Sequence, residues 1–403
     1  MARRNGGFIG TDGLDAPDPP TAITPTAGNA SVSVAFTAPT DVGASAITGF
    51  VAQVSINDTD YSAGSNTGTS SPIVVSSITN GTAATAKVWA INAFGTSAPS
   101  DASASFTPIL PQRAVVAGGI ENVLVMDYFE ITTLGNAADF GDLTNSAGGM
   151  RNGCGSSTRG IFFGGGDGAN SKDKLQYITL ASTGNSTNFG NMSTDKQEPM
   201  SVSNSTRAIS AGTSDAYTNT LEYVTIASVG NTTDFGDMNS SQVVSAGHGA
   251  ASTTRGLLGG GFLTNSGYKN HIQYLTIASV GNTVDFGDST VSRSKQAGFS
   301  NNTRAIWAGG ELSGSNRTNV IEYVTIASTG NATDFGDILA SLHSTSGTSS
   351  PTRGIITSGF DGSDYTNVIQ YVTIASTGNS QDFGDLVISN IHRGATSQAH
   401  GGL

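Results

Sequence analysis

The residues of this chain best placed for chemistry are paired aspartates: Asp139/Asp142, Asp234/Asp237, Asp285/Asp288, Asp334/Asp337 and Asp382/Asp385. Two carboxylates beside turn carbonyls make an oxygen-rich set of the kind a hard cation such as Ca²⁺ takes. Against a metal, one further copy carries Asn188 and Asn191 in their place, and no stretch has the spacing of a full Ca²⁺ loop. Asp234, Asp237, Asp334 and Asp337 stand as the candidate Ca²⁺ ligands. The preferred reading is that every copy turns and hydrogen-bonds a short edge strand, with no metal and no cofactor. A glycosidase acid and base would need two carboxyls in divergent environments, which a set of equivalent copies does not provide. His248, His271, His343, His392 and His400 sit at no metal-ligand spacing, and there is neither a P-loop nor a recognisable Ser/His/Asp elbow. The single cysteine, Cys154, leaves no intrachain disulfide and no paired thiols for zinc. The chain is expected not to be an enzyme.

The aspartate pairs belong to a repeat. Tyr128, Tyr177, Tyr223, Tyr274, Tyr323 and Tyr371 are each followed twelve positions later by a phenylalanine: Phe140, Phe189, Phe235, Phe286, Phe335 and Phe383. A recurring arginine, at 113, 159, 207, 255, 304 and 353, sets a period of 46 to 49 residues. Such a period points to propellers, solenoids or arrays, and a length near 50 favours a kelch-type propeller blade over the shorter rungs of a solenoid. Each repeat reads as four strands. The first runs from the Arg to a glycine pair, as in Arg304–Gly310; the second is of the type Asn319–Ala327. A Gly-Asn turn then leads to Asp-Phe-Gly-Asp, and a Ser- and Gly-rich stretch follows. Four antiparallel strands in six copies predict six blades around a central channel, spanning residues 113–403. Repeat one lacks a strand that Arg393–Leu403 would supply, so this segment should clasp the ring, and deleting its eleven residues should destabilise all of it. The Arg is expected to bond a neighbouring strand or an adjacent blade's carboxylate, and the Tyr and Phe to pack between blades.

Composition agrees with an all-β fold. Of 403 residues 12% are charged, 53 are Gly, and β-branched residues fall in periodic runs. A net charge of -12, with 18 Lys plus Arg against 30 acids, gives no electrostatic footprint for nucleic acid. No apolar stretch has the length of a signal h-region or a membrane span, so neither standard secretion nor membrane insertion is expected. Residues 1–16 cannot bury a core of their own. They read as a docking arm with Arg3, Arg4, Phe8 and Ile9 as its anchors. Residues 17–108 form a separate β unit, in which Val32, Val34 and Phe36 alternate inward and Ala84, Ala86, Val88 and Ala90 do the same.

This unit resembles a fibronectin type III domain through its length, Ser77–Thr82 and Asn92–Pro99, with Phe36 in place of the usual strand-B Trp and Ala84 in place of the corner Tyr. Trp89 is expected to supply the missing core area. The glycine pairs and downstream aromatics resemble kelch repeats, although repeat three has Gly212-Thr213 and repeat six Ser358-Gly359. The cassette Tyr323–Asp337, the Ser-Ser-Thr-Arg-Gly flank, the single fibronectin-like module and the start Arg3–Gly10 together resemble structural proteins of tailed phages, marine cyanophages especially. That resemblance implies a virion component, assembled in the host cytoplasm, that acts by binding other virion proteins and a host glycan or protein. A tail fibre, baseplate or host-contact part is the first expectation, a capsid decoration protein the second and a propeller glycosidase the third. Length variation between the Arg and Tyr of each repeat points to one loop face for binding, with Tyr217, Phe262, Tyr268, Arg317 and Tyr365 as the contact residues.

Overall fold

The computed structural model describes residues 16–28, 30–108, 112–121, 123–144, 152–164, 173–212, 218–239, 249–263 and 267–403. The arm residues Arg3, Arg4, Phe8 and Ile9, and Tyr217, lie outside them. The chain divides into two units, one through Pro111 and one from Gln112 to Leu403. Both are all-β and antiparallel, and no α-helix occurs among the described residues.

The first unit has two three-stranded sheets. Thr21–Gly28, Ser31–Thr37 and Ile73–Ser76 form one; Gly64–Gly68, Ile47–Ser55 and Thr85–Asn92 form the other. The period-2 alternation predicted for Val32, Val34 and Phe36 and for Ala86, Val88 and Ala90 puts all six side chains into one shared core. Phe36 fills its place by tilting against Phe50, 4.7 Å between ring centres. Trp89 is a correction. It has the opposite parity to Val88 and Ala90, so it lies on the outer face against Tyr61 and adds nothing to the core. The free edge of Thr85–Asn92 is covered without a further strand: the hydroxyls of Ser97, Ser100 and Ser103 accept the N–H groups of Ala90, Val88 and Ala86.

The second unit contains six sheets of one plan. The Ser- and Gly-rich stretch pairs with the Arg strand after it, not with the strand before it, so it opens each sheet instead of ending one. These inner strands are Asn152–Gly155, Met200–Ser203, Ala250–Ala251, Ala297–Ser300, Ser346–Ser349 and Gly394–Ser397. The Arg strand, the Tyr strand and the Asp-Phe-Gly-Asp strand follow in order outward. Gly394–Ser397 pairs with Arg113–Ala117, as the missing strand of the first repeat required.

Successive sheets are joined by the parts of the cassette that recur in every repeat. The Gly of each Gly-Asn turn donates its N–H to the Phe carbonyl of the preceding repeat, and the Asn side chain accepts the N–H of the residue at the second Asp position. Gly330 to Phe286 (2.8 Å) and Asn331 to Asp288 (3.0 Å) are one such set. The set occurs six times and returns on itself, because Gly135 bonds Phe383 and Asn136 bonds Asp385. The inner strands touch in the same cyclic order. The space between them is filled instead of open: a cavity of about 40 Å³ remains, lined by small residues such as Gly153, Ser201, Gly298 and Ser349 and by His400.

Each recurring Arg lies 4.6 to 4.9 Å over the Tyr of its own repeat and reaches a backbone carbonyl of the next. Arg304 bonds Ile374, and Arg353 bonds Ile131 across the return. Of the two partners expected, a neighbouring strand or an adjacent carboxylate, the Arg takes the first, through a carbonyl at that strand's end. Tyr and Phe form an edge-to-face pair within one repeat, 5.8 to 6.1 Å apart, and both join a cluster that takes in the following sheet, as Tyr128 and Phe140 do with Phe162 and Ile178.

Candidate binding face

The inner strands point their amino ends to one end of the unit, where the loops between the Arg and Tyr strands also lie. Those loops differ from repeat to repeat, while the opposite end is uniform. Phe262 and Tyr268 face each other across the hairpin Phe262–Leu263/Gly267–Tyr268 with ring centres 5.1 Å apart. Phe360 collects the next set: Arg317 lies 5.9 Å over its ring, Tyr365 sits 5.7 Å away and His343 5.3 Å away. The Asp361 carboxylate accepts the N–H groups of Ser363 and Asp364, which fixes the turn ahead of the exposed Tyr365 and holds that carboxyl below its usual range.

The two sets meet at Glu311. Its carboxylate is 2.7 Å from Lys295 Nζ and also accepts the Tyr268 hydroxyl. Burial raises the Tyr268 hydroxyl to about 12, with Glu311 adding to the shift, so it remains a donor. Lys295 holds Glu311 below its ordinary range despite partial burial. Burial pushes His343 down, Glu311 opposes this, and Lys295 and Arg317 add to it.

Behind these loops lies a buried register that sequence spacing did not expose. Glu198, Lys295 and Ser344 stand nine residues before Arg207, Arg304 and Arg353, and His392 stands two before its inner strand as they do. All four have left-handed backbones, with φ of +54°, +56°, +56° and +54° in chain order. Ser344 Oγ is 3.0 Å from His392 Nε2 and 2.8 Å from His343 Nδ1; His392 Nδ1 is 3.3 Å from Glu198 Oε1. Burial, with Lys295 and His343 nearby, pushes His392 down to about 3, so the ring is neutral at ordinary pH. Glu311, His343, Phe360 and this register were all missed from sequence. The available signal was the fixed offset from each Arg, at a place where side-chain type changes from repeat to repeat.

A second buried set alternates. The residue before each Tyr runs Asp127, Gln176, Glu222, Gln273, Glu322, Gln370. The three acids meet buried cations from the loop entering the same sheet: Arg393 at 2.6 Å, Lys196 at 3.4 Å and Arg293 at 2.6 Å. The glutamines instead accept hydroxyls, as from Ser186 (2.6 Å), Thr283 (2.6 Å) and Ser380 (2.8 Å).

The aspartates proposed as Ca²⁺ ligands sit on the outer strands. Asp237 and Asp337 give their N–H groups to Asn282 and Asn379, and Asp234 and Asp334 stand opposite Glu222 and Glu322. Among the described residues no three His, Cys, Asp or Glu side chains group closely enough to share a metal ion. The arrangement at the loop end offers aromatic faces beside directed donors and acceptors, which suits contact with a polyhydroxyl or polar peptide ligand. No protein-family model matches the chain, and no curated protein matches it.

Proposed function

We propose that this chain is a non-enzymatic virion structural protein of a tailed phage, in a tail fibre, baseplate or other host-contact part. In this reading the first unit is a fibronectin type III-like spacer and the second a six-bladed kelch-like propeller that binds through its loop end. The observation that carries the binding role is the asymmetry of the second unit. One end repeats the same Gly-Asn turn and Arg-to-carbonyl bond six times, while the other gathers Phe262, Tyr268, Glu311, Arg317, Phe360 and Tyr365 from non-equivalent loops. Insertions confined to one face of a repeat protein are where recognition is built. The propeller reading is supported by six like sheets whose contacts return on themselves. The virion reading rests on the resemblance carried by the cassette Tyr323–Asp337 and the amino-terminal residues.

The test has two arms. A glycan array probed with the full chain should give binding that Tyr268→Ala and Tyr365→Ala each weaken about tenfold, the loss of roughly 1.4 kcal/mol of contact. Cryo-EM of purified particles should locate the chain and show it lost when residues 1–16 are removed. Particle incorporation with no glycan binding would favour capsid decoration; a chain that joins no particle overturns the virion reading.

A further inference from the structure

Arg317 stands apart from the other described arginines of the second unit. The recurring arginines end on backbone carbonyls, as Arg304 does on Ile374, and Arg293 and Arg393 end on buried acids. No hydrogen bond or ion pair to a described residue takes any of the five donors of the Arg317 guanidinium. Its place is nevertheless set by packing. The side chain leaves the strand Asn316–Thr325 of repeat five and lies 5.9 Å over the Phe360 ring of repeat six. At Gly362, with φ of +105°, a Cβ would overlap Arg317 Nη2, so the guanidinium also lies against bare backbone. A cation held on a ring face keeps its in-plane donors for a partner.

We infer that Arg317 binds the carboxylate of a uronic-acid residue in an acidic glycan, with the sugar ring laid on Tyr365. This rests on the glycan-binding reading of the loop end and names the class of sugar. Two N–H groups along one edge of a guanidinium match the two oxygens of a carboxylate in the same plane. Tyr365 flanks the same Phe360 ring at 5.7 Å and is 38% exposed, which leaves a face for the C–H side of a pyranose. The hairpin tip 313–316 and the turn 361–365 on either side are exposed, so a chain of sugars can pass across the site. The neighbouring charges favour a single negative charge on the ligand. Lys295 is committed to Glu311 at 2.7 Å, and Asp361 and Asp364 share the turn beside Arg317. A doubly charged phosphate would therefore meet one uncommitted cation and two carboxylates, whereas a carboxylate brings only one charge into that field.

The experiment probes an array with the full chain in EDTA, so that no Ca²⁺ bridge can stand in for the guanidinium. The array carries oligosaccharides of galacturonate, glucuronate, mannuronate and guluronate, each beside its carboxyl-reduced neutral counterpart, together with sugar phosphates and polyglutamate. At least one uronic-acid glycan should bind about tenfold or more tighter than its neutral counterpart, and raised salt should narrow that margin. Arg317→Gln should abolish the margin while leaving binding of the neutral form unchanged, and Arg317→Lys should restore only part of it. Tyr365→Ala should weaken both forms. Neutral glycans bound as tightly as acidic ones, or a margin that survives Arg317→Gln, overturns the inference and leaves the glycan-binding reading standing. A preference for polyglutamate or for sugar phosphates over every uronic-acid glycan also overturns it. Binding to nothing on the array removes the glycan reading and this inference together.

Discussion

At the scale of single residues, His400 holds the end of the unit opposite the loops. Its Nε2–H donates to the Gly155 carbonyl at 2.7 Å, and its Nδ1 accepts the Gly402 N–H at 3.2 Å, so both ring nitrogens are committed to the neutral form. Burial pushes its pKa down from 6.5 to about 4. Because the folded value lies below the unfolded one, the unfolded chain binds the proton first as pH falls. The stability this group contributes is complete above 6.5 and drains away toward 4, by roughly 3 kcal/mol at about 1.4 per pH unit. His392, also depressed, acts in the same direction and continues below that window. The melting temperature should therefore fall between pH 6.5 and 4, and His400→Gln should fall less steeply; identical slopes for the two proteins would remove His400 from the account. None of this was legible beforehand. Gly155 and His400 are 245 positions apart, and a search of histidine spacing for metal ligands has no means of detecting a ring nitrogen brought to a carbonyl by the return of the chain.

At the scale of elements, the cassette was legible because every copy has to make the same contacts. Its Phe-Gly-Asp glycine is the clearest case. Gly336 has φ of +147°, and a Cβ there would stand 2.5 Å from the Gly378 carbonyl oxygen of the next repeat. Both the backbone conformation and the close approach call for glycine. Gly336→Ala should cost well over about 1 kcal/mol, the ordinary penalty for an unfavourable left-handed site, measured as a shift in urea midpoint at unchanged slope. A variant as stable as wild type would mean that neighbouring sheets can separate there without loss. The alternation of acid and glutamine before each Tyr was also written in the sequence. Its meaning was not, because the cations Lys196, Arg293 and Arg393 sit in loops at unequal offsets and only the fold brings each to its acid. Trp89 and the Ser- and Gly-rich strands were misplaced for a related reason. Strand parity decides which face a side chain takes, and pairing with the following Arg strand decides which sheet a segment joins, but neither follows from local composition.

At the scale of the whole molecule, six sheets that cannot each bury both faces alone are stable together because their contacts return from the sixth to the first. Residues 393–403 make much of that return. Gly394–Ser397 is the inner strand beside Arg113–Ala117, Arg393 neutralises the buried Asp127, and His400 bonds the inner strand of the second sheet. Removing them exposes the edge of the first sheet and leaves Asp127 without its cation. An unpaired buried charge by itself costs on the order of 3–5 kcal/mol. Asp127 is already raised by desolvation, with Arg393 opposing that rise, so without Arg393 it should take up a proton more readily still. Calorimetry of the chain lacking residues 393–403 should show a large drop in melting temperature for the whole second unit, not a small local transition. Arg393→Met, which keeps the strand and loses only the charge pair, should fall between the truncated and wild-type chains. If the truncated chain melts where the wild type does, the sheets are holding one another without closure, and the ring reading of the second unit fails with it.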